Sequence, residues 1–184
     1  KNKFIKIFKN KKKGLGSAIN IGIRKSKSEY LCIFMCDLSD DTNDIIKYFK
    51  IIKKDKNLHA VFGTRFSKFS KVKNYPFFKL VLNRLANNLI KIITLTDYND
   101  FTNAFKIYKK ETLNKLMPLV SENFNIFLEL PLKIISRKYK YKIIPINWNG
   151  RTTGISKFKI KEIGSMYIFT LCYCLLEKIL LNKK

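Results

Sequence analysis

The sequence predicts an α/β fold, with a mostly parallel central sheet flanked by helices and a further helix at the carboxyl end. Three observations carry that expectation. The 184 residues, 46% hydrophobic and 28% charged, can bury one α/β core and leave little room for a second. Residues 30–64 run strand, helix, strand in about thirty-five positions, the rhythm of a parallel βαβ unit. Further along, apolar residues recur three and four apart in long stretches, as on one face of a helix.

Taken in order, Phe4-Ile-Lys-Ile-Phe8 reads as a strand remnant, followed by a basic loop over 10–13. Leu15, Ala18, Ile19, Gly22 and Ile23 mark a helix of about three turns. Tyr30 to Met35 is an uninterrupted apolar run of strand length, which suits a central strand covered on both faces. It ends abruptly in Asp37-Leu-Ser-Asp-Asp-Thr42, and Ile45, Ile46, Phe49 and Ile52 then restore helical spacing. His59 to Gly63 is a second strand. Phe78, Leu82, Leu85, Leu89, Ile92 and Ile93 predict a long helix over 77–93. Thr102 to Tyr108 alternates like a strand, Glu111 to Leu116 reads as a short helix stopped by Pro118, and 124–137 as a longer one. Tyr139 to Trp148 contains Pro145, which cannot donate to a ladder, so it belongs at an edge.

Two regions follow: one domain over residues 1–157, and a basic, apolar tail over 158–184. Ile163 to Leu176 carries no charge and is flanked by lysines. As a helix it would rise about 21 Å, short of the roughly 20 residues that span a bilayer. With Tyr167, Tyr173 and basic flanks it reads first as an interfacial helix on an anionic membrane, and otherwise as a docked core helix or a span.

Lys+Arg number 38 against 13 Asp+Glu, a net charge of +25. Such a balance suggests nucleic acid or an anionic membrane. Arginine occurs only at positions 24, 65, 84, 137 and 151, however, and the lysines are scattered among abundant Ile and Asn. This resembles an A+T-rich codon bias more than a dedicated phosphate-reading surface, which favours the arginine fork. No helix-turn-helix, zinc-finger or aromatic RNA-binding motif is present, so nucleic acid is not the expected partner. The four cysteines show no Cys-x-x-Cys spacing and have one histidine for company, which suits buried reduced thiols rather than a zinc site.

The sharpest chemical feature is the acidic cluster after the strand at 30–35. Open α/β sheets bind ligands beyond the carboxyl ends of their strands. Asp37, Asp40 and Asp41 there invert the local charge, and such oxygens suit Mg²⁺ or Mn²⁺ held against substrate phosphates. Capping of the following helix competes as an explanation for Asp40 and Asp41. Lys13-Gly14-Leu-Gly16 opens a helix and could meet a phosphate, although it fits neither the phosphate-loop nor the dinucleotide pattern. His59 has no second ligand or nucleophile nearby and reads as structural.

Six blocks occur in order: Lys13-Gly14-x-Gly16-Ser-Ala-Ile-Asn20-x-Gly22, Phe34-Met-Cys-Asp-Leu-Ser-Asp-Asp41, Gly63-Thr-Arg65-Phe66, Asp100-Phe-Thr102-Asn-Ala-Phe-Lys106, Phe124 with Glu129, and Pro145-Ile with Arg151-x-x-Gly-x-Ser156-Lys157. Together they resemble a family 2 glycosyltransferase of the dolichol-phosphate-mannose synthase type, with a GT-A fold, over residues 10 to about 160. The resemblance implies that Asp37 is the second acid of the Asp-x-Asp metal motif, with Met35 in the first acid's place and Asp40 able to compensate. It implies donor-side contacts from Lys13, Gly14 and Arg65. It puts Asp100, Thr102 and Lys106 on the acceptor side, and Glu129, Arg151, Ser156 and Lys157 around the acceptor pocket. Asp37, Asp100 and Arg151 would be the catalytic set.

The implied activity is inverting transfer of a hexose from a UDP- or GDP-sugar to a polyprenyl phosphate or related cell-envelope glycan, at the cytoplasmic face of a membrane. Met35 keeps a second reading open, a membrane-associated relative without catalysis. Residues 1–13 match none of the family's opening nucleotide-binding segments, and the chain opens without Met, so an N-terminally incomplete domain lacking its first strands is expected.

Overall fold

The computed structural model describes residues 4–151 and 160–181, with side chains from 164 onward in the last helix. The elements are α1 (Leu15–Lys25), β1 (Tyr30–Ile33), α2 (Thr42–Lys54), β2 (Ala60–Thr64), β3 (Val72–Lys73), α3 (Phe77–Thr94), β4 (Lys106–Lys109), α4 (Lys110–Lys115), α5 (Ile126–Ser136), β5 (Tyr141–Pro145), β6 (Trp148–Asn149) and α6 (Ile160–Leu181). Four strands form the main sheet in the order β1-β4-β2-β5, and β3 pairs with β6 in a small second one.

Three of the four main strands point the same way, and β4 is inserted antiparallel between β1 and β2. The mostly parallel sheet expected from the βαβ rhythm is therefore mixed, with one parallel neighbour pair, β2 with β5. The connection explains the reversal. Tyr98 Oη and Asn103 Nδ2 both donate to the carbonyl of Gly63, at 3.1 and 3.2 Å. The loop before β4 is thus tied to the carboxyl end of β2, and β4 must leave in the opposite direction.

Alternation along the strands feeds two cores. Ala60, Phe62 and Tyr108 join the larger cluster with α5, while Val61 and Ile107 meet Tyr48 and Ile52 of α2 on the other face. β1 follows the same rule, Leu31 and Ile33 packing one way and Tyr30 and Cys32 the other. Its unbroken apolar run reflects these two covered faces. Among the described residues it is an edge strand, not the central one expected. β5 sits at the other edge and ends on Pro145. Residues 5–10 form no strand, since none of the described strands pairs with them and Phe4, Ile5 and Ile7 are exposed.

Helix α6 is docked along one side and open along the other. Thr170 and Cys174 are buried, Asn125 Nδ2 donates to Thr170 Oγ1 at 2.9 Å, and Glu177 pairs with Lys133 (3.6 Å) and Arg137 of the α5 region. Ile168, Phe169, Leu176, Ile179 and Leu180 are exposed. The stretch Gly164–Leu181 is long and apolar enough to cross a membrane by length and composition.

Candidate functional site

The carboxyl ends of β1 and β2 and the loop 97–103 converge on one buried ion pair. Arg65, the residue after β2, sends Nε to Asp100 Oδ2 (2.9 Å) and Nη2 to Oδ1 (2.7 Å), and its own backbone N–H also donates to Oδ2 (2.8 Å). Asp100 is 0% exposed and Arg65 8%. Burial alone would pull the guanidinium down, but the Asp100 charge and hydrogen bonds outweigh it and hold the group above its ordinary value. Three rings sleeve the guanidinium, Phe66 at 5.2 Å, Trp148 at 5.7 Å and Tyr75 at 5.9 Å.

The acidic turn lies beside this pair. Asp37 Oδ1 accepts from the N–H of Ser39 (3.2 Å), which closes the turn, and Leu38 adopts a left-handed φ of 58° with its side chain outward. The turn is pinned to β6, where Asn149 N–H donates to the Ser39 carbonyl (3.0 Å) and Asp40 bridges to Trp148. Asp41 caps α2 by accepting from Asn43 N–H at 2.9 Å. Asp40 is buried, and its Oδ1 has no hydrogen-bond partner. Burial lifts its carboxyl to about 6, against the pull of Arg65 and with the nearby charges of Asp37, Asp100 and Asp44 adding to the rise. A buried acceptor without a donor is a costly arrangement, and a cation would relieve it. Among the described residues no group of three His, Cys, Asp or Glu side chains gathers for a metal. Asp37 and Asp40 are the two carboxylates here that could hold Mg²⁺ or Mn²⁺, which takes one or two carboxylates when phosphate oxygens complete its shell. Met35 packs against the larger core.

Several expected site residues have other partners. Asp100 has both oxygens committed to Arg65, so here it positions that side chain. Thr102 is held from α3, where its Oγ1 meets Asn87 Nδ2 and Asn83 Oδ1, each at 3.1 Å. Lys106 is 1% exposed, with Nζ donating to the carbonyls of Phe101 (3.0 Å) and Asn103, so it braces the loop from beneath. Glu129 is also fully buried, accepting from the N–H groups of Val120 (2.9 Å) and Ser121 (2.8 Å) and pairing with Lys133 (3.2 Å). It locks α5 to the preceding turn from inside the core.

At Gly14 and Gly16 a Cβ would stand 2.2 and 2.3 Å from the carbonyls of Glu122 and Ser121, and Gly14 has φ +118°. The Ser17 N–H donates to Glu122 O (3.1 Å). These glycines let α1 approach the 121–123 turn, so packing accounts for Gly14 without a phosphate, and Lys13 is simply exposed. Arg151 is exposed just after Gly150. Ser156 and Lys157 lie outside the described residues.

Burial lowers the Lys106 ammonium to about 7, with Asp100 opposing. The unfolded chain holds that proton up to about pH 10.4 and the folded one releases it near 7, so folding stability gains from this group as pH rises between the two. Urea unfolding of the protein and of Lys106→Met should therefore show a stability difference that shifts toward the parent from pH 7 to 10. A difference that stays flat over that range would rule out a neutral buried amine.

The sequence profile described as "Glycosyl transferase family 2" matches residues 1–117. The chain belongs to glycosyl transferase family 2. Its relatives include the dolichol-phosphate mannosyltransferase of Pyrococcus furiosus, 28% identical over 162 residues, 85% of this chain and 44% of that protein. The polyprenol monophosphomannose synthase of Mycolicibacterium smegmatis is 25% identical over 122 residues, 60% of this chain and 46% of that one. Among solved structures, glucosyl-3-phosphoglycerate synthase from Mycobacterium tuberculosis with Mn²⁺, UDP-glucose and phosphoglyceric acid superposes with a TM-score of 0.62 at 13% identity, covering 89% of this chain and 55% of that one. The GT-A fold is thereby shown, and the chain spans about half the length of these relatives.

Sequence reasoning missed the ring sleeve of Tyr75 and Trp148 and the Asn83–Asn87–Thr102 network. A single Trp in a chain dominated by Lys, Ile and Asn was an available signal for the first. For the second there was none, since asparagine is common here at every kind of position.

Proposed function

We propose that this family 2 glycosyltransferase chain takes part in inverting transfer of a hexose from a UDP- or GDP-sugar to a polyprenyl phosphate. The observation that carries the reading is the unpartnered, buried Asp40 Oδ1 beside Asp37, near the Arg65–Asp100 pair. Asp37 and Asp40 would hold Mg²⁺ or Mn²⁺, which supplies Lewis-acid stabilisation of the departing nucleoside diphosphate. An acceptor phosphate is already anionic, so its oxygen can attack the anomeric carbon from the side opposite the diphosphate without a strong base. The new C–O bond forms as the bond to diphosphate breaks, and the anomeric configuration inverts. Asp100 fixes Arg65 beside the acidic turn, where a buried cation would favour the gathering negative charge. Arg151, with Lys157, is assigned to the acceptor phosphate through charge-assisted bonds.

We assign the tail, 158–184, to the cytoplasmic membrane face where such a lipid would be presented, with the open side of α6 against the bilayer. The lipid-linked acceptor is favoured over a soluble one by the apolar surface that α6 leaves uncovered. Titration calorimetry of the chain with UDP and with GDP, with and without Mn²⁺, tests the diphosphate site. Metal-dependent binding is expected, weakened at least about tenfold in Asp37→Asn or Asp40→Asn, the loss of one metal carboxylate. Metal-independent or absent binding in a folded sample would favour the non-catalytic relative that Met35 suggested.

A further inference from the structure

We infer that Trp148, together with Tyr75, is a positioning residue for the transfer chemistry: it fixes the direction in which Arg65 presents its free donors and the spacing between that guanidinium and the acidic turn. This rests on the diphosphate reading above and adds to it two rings that act through Arg65. The first reason is what the rings pack against. Among the described residues, neither Tyr75 nor Trp148 joins either hydrophobic core. They stack on each other with centroids 4.9 Å apart, and both stand over the Arg65 guanidinium, as does Phe66. The second reason is what is left of Arg65. Asp100 takes Nε and Nη2, along one edge of the planar group, and Nη2 also reaches Thr102 Oγ1 at 3.5 Å. No described residue accepts from Nη1, which is nevertheless not a sealed, unpartnered atom as Arg137 Nε is. With rings beside the group and a carboxylate on one edge, the remaining donors leave it in one direction, as in-plane recognition of a phosphate requires.

The third reason is the backbone that carries the indole. β6 pairs with β3, the Trp148 N–H donating to the Lys71 carbonyl and the Gly150 N–H to that of Lys73, each at 2.9 Å. Trp148 also bridges to Asp40, while the Asn149 N–H holds the Ser39 carbonyl. Gly150 lets the turn at Asn74 close on β6, since a Cβ there would stand 2.2 Å from the Asn74 carbonyl. Tyr75 follows that turn, and its Oη accepts from Asn83 Nδ2 at 2.9 Å. One short strand therefore carries both the backbone that borders Asp40 and the ring that borders Arg65. Any shift of β6 moves the two together, so Trp148 sets their separation. In a transfer site a misplacement of about 1 Å can cost on the order of a hundredfold in rate.

The test compares Trp148→Phe, which keeps a ring, with Trp148→Leu, which keeps only apolar bulk; both keep the backbone bonds of β6. In the full chain labelled with ¹⁵N, the Arg65 Nε–H resonance is identified by its absence from Arg65→Met/Asp100→Leu. In the parent it should be displaced upfield by ring currents and exchange slowly with solvent. In Trp148→Leu the displacement should shrink and exchange should quicken about tenfold or more, while Trp148→Phe retains most of both. Affinity for UDP with Mn²⁺ should fall about tenfold in the Leu variant and less than about threefold in the Phe variant, because a freed arginine must be ordered on binding. If Trp148→Leu folds and leaves the Arg65 resonance unchanged, the ring does not position the arginine and the inference is overturned. Loss of protection at Arg65 with an unchanged affinity for Mn²⁺ and UDP overturns it as well. If the parent binds no UDP, the diphosphate reading fails by itself, and the Arg65 resonance still decides whether Trp148 orders that side chain. Tyr75→Leu, which takes the second ring from the same guanidinium, supplies the same readout should Trp148→Leu not fold.

Discussion

Asp100→Asn is expected to destabilise the fold by about 3–5 kcal/mol, because it leaves the Arg65 guanidinium buried without a counter-charge. Both carboxylate oxygens are engaged, and the amide that replaces one of them would turn a donor toward donors. The pair is not itself a large source of stability, since burying two charges costs much of what their attraction returns. Hence Arg65→Met/Asp100→Leu, which removes both charges, should recover most of the loss, and the cycle should show strong coupling. Urea unfolding at constant m-value is the measurement. A single-variant loss below about 1 kcal/mol would mean that water screens the pair as it does at a surface. In the double variant, nucleotide binding separates the roles. A stable fold that no longer binds would show that Arg65 serves the site as well as the loop.

Glu129→Gln should be nearly as damaging, at about 3 kcal/mol or more for an uncompensated buried ammonium. Lys133 would keep the carbonyls of Leu116 (3.2 Å) and Pro118 (2.6 Å) and the more distant Glu177, but lose its one fully buried counter-charge. The turn at 120–121 would lose part of its acceptor, and with it the platform that α1 and α6 share. Thermal unfolding reads the effect. An acceptor-pocket role predicts something else, a raised acceptor KM with an unchanged Tm, and that outcome would return Glu129 to the pocket.

Element type was legible along most of the chain because it is a local property. The long helix expected over 77–93, the strand before the acidic turn and an edge strand holding Pro145 follow from spacing, from an unbroken apolar run and from a missing N–H. The acidic turn that carries Asp37 and Asp40 was legible as a candidate, since acids after a strand in so basic a chain stand out against their background. Partners were not legible. Asp100, Lys106 and Glu129 look like site chemistry in the sequence, yet each is committed to a neighbour distant along the chain or to a backbone group inside the core. A sequence records that a side chain is charged, whereas the fold decides whether water, a ligand or another residue answers that charge.

The same division runs through the whole protein. Sequence alone determined the α/β class, the order of elements, the family and the acidic turn, all carried by short-range patterns. Only the tertiary structure decided that β4 runs against its neighbours, because the loop 97–103 is tied to the end of β2. Only it showed which way α3 faces, for periodicity marks an apolar stripe without saying what covers it. The stripe at 78–93 turned outward because Asn83 and Asn87 found Thr102 on the inside, and hydrogen bonds between residues so far apart in sequence exist only once the chain has folded.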